Sequence, residues 1–271
     1  MDQPPASPTA TAGPHSYFVR SGEGRFHPTR ASSGAWNPEE LHVSPVNGLV
    51  VHELERWLAK RPADNKLLTR ISTDYLGVLG FDECEVSCHL IRTGRSVELV
   101  EIVVTQNARP AIRARTWRVS ASDTTAVAAG ARAPLPPPGE ADPFDLSSIW
   151  PGDYVASLDV RTVGAPTPGR TTGWITTVLS VVAGEPVSDL SRFVLLVDTI
   201  NGIAVRRPPE EWLFPNVDLT IQLFRQPEGP WLGVETEVIF GPTGHGLTSS
   251  ELHDIGGHVG RAEQSLLVRP R

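Results

Sequence analysis

Residues 189–200 read Asp189-Leu190-Ser191-Arg192-Phe193-Val194-Leu195-Leu196-Val197-Asp198-Thr199-Ile200. Wound at 3.6 residues per turn, Leu190, Phe193, Val194, Leu195, Leu196, Val197 and Ile200 leave almost no polar face, so the helix needs other structure around it. Ser188 or Asp189 supplies its N-cap. The text that follows is strand-like: Asp218 to Arg225, Trp231 to Phe240 and Gly257 to Val268 are long alternating runs joined by turn residues. One buried helix and several meander strands have an economical solution, an antiparallel sheet wrapped around the helix, which is an α+β arrangement.

The same grammar runs earlier in the chain. Leu49 to Leu58 is helical in period, starting past Pro45 and Asn47-Gly48 and stopping before Arg61-Pro62. Strands are expected over Cys84 to Ile91, Ser96 to Thr105 and Ala111 to Val119, with turns at Thr93-Gly94-Arg95-Ser96 and Gln106-Asn107-Ala108-Arg109-Pro110. Gly34-Ala35-Trp36 has an echo in Gly173-Trp174. Asp74 and Asp218 lie about 144 positions apart and Ala114 and Ala262 about 148, so a duplicated unit of domain size is expected. The boundaries that follow are a disordered tail over 1-14, a first repeat over 15-120, a Pro/Ala-rich linker over 121-150 that contains Pro136-Pro137-Pro138, and a second repeat over 151-271.

Composition narrows the function classes. With 271 residues, 39% hydrophobic and 20% charged, the chain can bury a substantial core. Its net charge of −7 argues against nucleic acid as a partner, since phosphate backbones call for a basic excess. No apolar run is long enough for a membrane span, and the first residues lack the basic and apolar regions of a signal peptide, so no membrane insertion and a cytoplasmic address are expected. Cys84 and Cys88, on one face of a strand about 13 Å apart, are too distant for a disulfide. They read as packing residues.

Asp198 is the most informative polar residue, because an ionised carboxylate in an apolar helix must be hydrogen-bonded, shifted in pKa or at the lip of a cavity. It is either a candidate general base or a solvated Asp on a narrow polar face with Ser191 and Asn201. Gln264, in the last strand amid Leu266, Leu267 and Val268, needs an amide partner and could orient a water. Asn216 precedes the Asp218 strand and reads equally as a turn former. Glu53 and Glu55 read as solvated or as contacts between halves, and Asp74 and Asp218 as structural residues where their strands begin. His245, His253 and His258 fall in Gly-rich hairpin text and read as loop residues, not metal ligands. Arg70, Arg92, Arg95 and Arg225 could equally meet phosphates or lie on strand faces.

The order of these landmarks, with Leu195-Leu196-Val197-Asp198 in the second helix, then Asn216-Val217-Asp218, then Glu263-Gln264-Ser265 in the final strand, resembles the double-hotdog acyl-CoA thioesterases of the type II family. The resemblance covers about residues 15–271. It implies a double hotdog of two repeats, each a long antiparallel sheet around a central helix, and hydrolysis of an acyl-CoA by a water that Asp198, Gln264 and Asn216 hold and activate. Asn216 stands where the family has a hydroxyl residue. The position opposite Gln264 in the first repeat falls near Thr116, with no Asp equivalent to Asp198. No cofactor and no metal are implied, and an edge strand invites a homo-oligomer, a dimer of double hotdogs. Two other readings remain: a noncatalytic acyl-CoA or acyl-carrier binding protein, and a hotdog hydratase or dehydratase, against which stands the lack of a histidine near Asp198 in sequence.

Overall fold

Two helices meet at the centre of the molecule, and a single sheet wraps around them. The computed structural model describes residues 15–271, so the tail expected over 1-14 lies outside the described residues. In chain order the elements are β1 Ser16–Gly22, β2 Arg25–Pro28, α1 Val43–Ala59, β3 Lys66–Tyr75, β4 Cys84–Arg92, β5 Val97–Gln106, β6 Arg109–Ser120, β7 Asp142–Pro143, α2 Asp153–Ala156 and β8 Leu158–Thr162. Then come β9 Arg170–Thr177, β10 Ser180–Val182, α3 Asp189–Val197, α4 Ile200–Ile203, β11 Trp212–Leu213, β12 Asp218–Leu223, β13 Leu232–Phe240, β14 His245–Asp254, β15 Gly257–Leu267 and β16 Arg269–Pro270.

The 14-stranded sheet has the order β10-β1-β2-β4-β5-β6-β3-β12-β15-β14-β13-β9-β8-β7. Its midpoint is the antiparallel seam between β3 and β12, where Ser72 faces Thr220, 148 residues later, and their hydroxyls lie 2.9 Å apart. The same shift relates the rest: Ser72 faces Arg115 as Thr220 faces Glu263, and Val100 faces Thr116 as Thr248 faces Gln264. The two repeats are therefore in constant register, and Thr116 does occupy the position of Gln264. Asp74 and Asp218 do not correspond, contrary to the sequence reading. They are cross-strand neighbours at the seam, and under the constant shift Arg70 takes the place of Asp218. The two ends of the sheet come together where Tyr17 on β1 bonds Ser157 and Thr177 at 2.8 and 3.0 Å and β10 pairs in parallel with β1. The strands that end the sheet are short, three residues in β10 and two in β7.

Helix α1 starts earlier than its periodicity predicts and includes Pro45 and Asn47-Gly48. Proline costs nothing in a first turn, whose N–H groups have no partner within the helix, and His42 caps the turn by accepting from Ser44 N–H. Gly48 sits inside the helix because α3 crosses there. A Cβ at that position would lie 2.7 Å from Leu195 Cβ, and Ser191 Oγ donates to Gly48 O at 2.9 Å. Ser188 caps α3, as one of the two expected candidates. The helix ends at Val197, so Asp198 closes it instead of lying inside it.

β14 was hidden in text that reads as a Gly-rich hairpin. Two of its inward positions are polar, Thr248 and Ser250, with only Leu252 apolar on that face, and Ser250 is matched by Thr236 at 2.9 Å, so little apolar alternation shows. His253 and His258 accordingly lie on strands, each against a carboxylate, Glu235 and Glu251, at 2.9 Å. The segment before β7 runs along the second repeat: Trp174 Nε1 donates to Pro136 O and Arg132 meets Glu251. Cys84 and Cys88 are free, and burial pushes both thiols up to about 12, which leaves them unreactive.

Candidate active site

Asp198 is 5% exposed, and Ser191 and Asn201 are buried too, so the solvated-face reading fails. As the residue that closes α3, it points its carboxylate to where the end of β3, Asn216 two residues before β12 and the inner face of β15 converge. Three donors meet one oxygen: Asn216 Nδ2 at 2.7 Å, Gln264 Nε2 at 2.8 Å and Tyr75 OH at 3.0 Å all reach Oδ1. Tyr75 is held in turn by Asn47 Nδ2 of α1 at 2.8 Å. Oδ2 accepts no hydrogen bond from the described residues, and its nearest basic group is His42 Nδ1 at 4.0 Å.

Burial raises the pKa of Asp198 to about 6, against the opposing pull of the hydrogen bonds from Asn216, Tyr75 and Gln264. Burial, and then the Asp198 charge, push Tyr75 well above its ordinary value, so it remains a donor. His42 falls to about 3 by burial, its Nδ1 already accepts from Ser44 N–H, and its ring stacks on Tyr154 at 4.3 Å. It is neutral, so the 4.0 Å approach to Asp198 is not an ion pair.

Two spaces open on Asp198. One is a groove of about 490 Å³ that runs to the surface between Gly34–His42, Tyr75–Leu79 and Leu213–Val217, with Arg269 on its wall and the exposed side chains of Leu76, Val78 and Val217 along it. The other is a recess of about 40 Å³ beside Thr199, Asn201 and Gly202, walled by Trp36, Trp150 and Leu146. A carboxylate poised near neutrality, fixed through one oxygen and open at the other, can take a proton from a small molecule at that junction.

The structure brings together all three residues singled out in the sequence. It adds Tyr75, Asn47 and His42, which the sequence reading missed because all three come from the first repeat. Tyr75 had a signal, following Asp74 in a noted landmark. Asn47 read as a turn beside Gly48. Glu53 is held by Arg20 at 2.6 Å and Glu55 by Ser188 at 2.7 Å, both away from the site; the second is a contact between halves. Arg225 is committed to Asp254 by paired bonds of 2.6 Å, and Arg92 lies over the Trp117 ring.

The double hotdog is shared with known structures. A conserved protein of unknown function with a hot dog fold from Alicyclobacillus acidocaldarius superposes with a TM-score of 0.69 at 14% identity, covering 94% of this chain and 95% of that one. The tesB protein of Mycobacterium avium subs paratuberculosis gives 0.66 at 15%, with 93% and 96% covered, and the acyl-CoA thioesterase II TesB2 of Mycobacterium marinum gives 0.62 at 14%, with 94% and 96% covered. No curated protein matches. The family assignment comes from sequence models: the acyl-CoA thioesterase N-terminal domain matches residues 32–119 and the acyl-CoA thioesterase C-terminal domain residues 113–268. The chain belongs to the acyl-CoA thioesterase family.

Proposed function

We propose that this chain hydrolyses acyl-CoA thioesters with a water activated by Asp198. What carries the reading is the asymmetry of that carboxylate, with three donors on Oδ1 and, among the described residues, none on Oδ2, and a pKa raised to about 6. A water at Oδ2 attacks the thioester carbonyl carbon while Asp198 takes its proton, and the carbonyl electrons move to oxygen. The first N–H of α1, at Val43 beside the groove, is a donor for that oxyanion, backed by the positive end of the helix. Collapse re-forms the carbonyl and breaks the C–S bond; the departing thiolate takes the proton from Asp198, leaving a carboxylic acid and free CoA. Asn216 and Gln264 act through Asp198, by fixing Oδ1 and favouring its ionised form. A thioester is electrophilic enough to need no covalent nucleophile, which agrees with two cysteines whose thiols are pushed up to about 12.

The test is release of CoA thiol from acyl-CoAs by the purified protein and by Asp198→Asn. The variant is expected to lose about 10²–10⁴-fold in turnover while keeping its fold. No release from the parent, with retained affinity for a nonhydrolysable CoA thioether, would leave the noncatalytic binder.

His42 favours a second reading. The objection to a hydratase or dehydratase was that Asp198 had no histidine near it, and in space His42 lies 4.0 Å from Oδ2. With Nδ1 taken by Ser44 N–H, His42 has its Nε2–H to offer the thioester carbonyl, and Asp198, titrating near 6, takes a proton from the attacking water and returns it to the α-carbon in adding water to an enoyl-CoA. Hydration of an enoyl-CoA without thiol release would establish that reading in place of the first.

A further inference from the structure

Asp198 divides two spaces of very different size, and a thioester has two arms of very different size. The open groove of about 490 Å³ reaches the surface and has Arg269 on its wall, as an arm ending in a phosphorylated nucleotide requires. The recess on the other side holds about 40 Å³, room for about three water-sized groups. Its wall is an edge-to-face aromatic stack: Trp36 and Trp150 have ring centroids 4.7 Å apart, and both meet Phe214, at 5.3 and 5.7 Å. Trp150 is locked in place by its Nε1 bond to Gly202 O at 2.9 Å, and Phe214 is fully buried, so the wall cannot swing aside without breaking packing.

We infer that the recess is the acyl subsite and that the aromatic wall restricts the substrate to short acyl groups, about two to four carbons long. The inference rests on the thioesterase reading and adds the substrate class to it. Trp150 and Gly202 set the depth: each lines the recess and neither lines the groove.

Two substitutions move the wall in opposite directions. Trp150→Leu removes part of the indole and lengthens the recess. Gly202→Ala shortens it by one methyl, whose three nearest neighbours are atoms of the Trp150 ring at 3.5–3.9 Å, an ordinary contact that the fold accepts. The experiment measures kcat/KM for acetyl- through palmitoyl-CoA, together with the affinity of nonhydrolysable S-alkyl CoA thioethers of the same lengths, in the parent and both variants. The parent is expected to prefer the two- to four-carbon substrates to octanoyl by tenfold or more. Gly202→Ala should cost butyryl more than acetyl, and Trp150→Leu should shift the optimum to longer chains.

A parent that prefers long chains, or a length profile that neither variant moves, overturns the recess assignment while thiol release upholds the thioesterase reading. No release from any length sinks that reading, and the thioether affinities then decide the recess alone: a preference for short alkyl groups that Gly202→Ala sharpens supports it, and a flat or long-chain profile overturns it. Because Gly202→Ala preserves the backbone acceptor for Trp150, the result does not depend on the larger substitution folding.

Discussion

At the residue scale, the unusual feature is that Asp198 is buried, ionisable and unequal in its two oxygens. Its pKa of about 6 is a balance in which burial outweighs three hydrogen bonds. Each of those bonds stabilises the ionised form, so removing one favours the proton. If Asp198 is the base, activity requires it ionised, and the acid limb of kcat/KM against pH should have its midpoint near 6. Tyr75→Phe deletes one donor to Oδ1 and should move that limb upward by roughly half to one pH unit, corresponding to about 1 kcal/mol. An unmoved limb would remove Tyr75 from control of Asp198, and a uniform fall in rate at every pH would indicate a merely structural loss. Asn216 stands where the resemblance implies a hydroxyl residue, and its amide nitrogen donates to Oδ1 at 2.7 Å, a bond that a hydroxyl can also make.

At the element scale, the crossing of α1 and α3 is set by one missing side chain. Gly48 allows the helices to approach until Leu195 Cβ fills the place of a methyl, and Ser191 reaches across to the Gly48 carbonyl. Replacing Gly48 with Ala gains about 1 kcal/mol of helix propensity. It also drives a methyl to 2.7 Å from a Cβ, which cannot rotate away, and overpacking of this kind costs typically about 1–3 kcal/mol. The cost should win, lowering Tm by a few degrees. Since His42 and Asn47 stand on the first turns of α1 and Asp198 at the end of α3, the same variant should lose thiol release beyond its loss of stability; a Tm equal to or above that of the parent would contradict the crossing.

At the scale of the whole molecule, the two repeats are joined by more than their common sheet. Glu185, just past β10, accepts from Arg20 of β1 at 2.6 Å, from His52 of α1 at 3.0 Å and from Arg56 at 3.3 Å. The Arg20 guanidinium, more than any other group, holds the Glu185 carboxyl down at about 2. A carboxylate depressed in the folded state contributes stability that is present above its unfolded pKa, near 4.3, and lost as pH falls towards 2. The group retains 17% side-chain exposure, so a contribution of roughly 1–2 kcal/mol is expected. Glu185→Gln should lower Tm at pH 7 by a few degrees, with the gap to the parent closing between about pH 4 and pH 2. A gap that persists unchanged at pH 2 would assign the effect to packing. We propose the same boundaries for the repeats as the sequence indicates, 15-120 and 151-271, with 121-150 between them. Among the described residues no helix is long and apolar enough to cross a membrane.

The wrapped-sheet fold is legible in the residues alone, because a helix with almost no polar face next to long alternating strands has few other ways to leave water. The sequence also identified Asp198, Gln264 and Asn216 as residues of interest, since polar groups in apolar text need partners. Who those partners are depends on folding. Tyr75, Asn47 and His42 come from the other repeat, and contacts across more than a hundred residues leave no periodicity to read. Folding likewise decided that Asp74 and Asp218 are neighbours across the seam and not repeats of each other, since register depends on how β3 and β12 pair. The size of the recess was beyond the sequence for the same reason: its walls are set by Trp36, Trp150 and Phe214, distant in the chain and brought into edge-to-face contact only by folding.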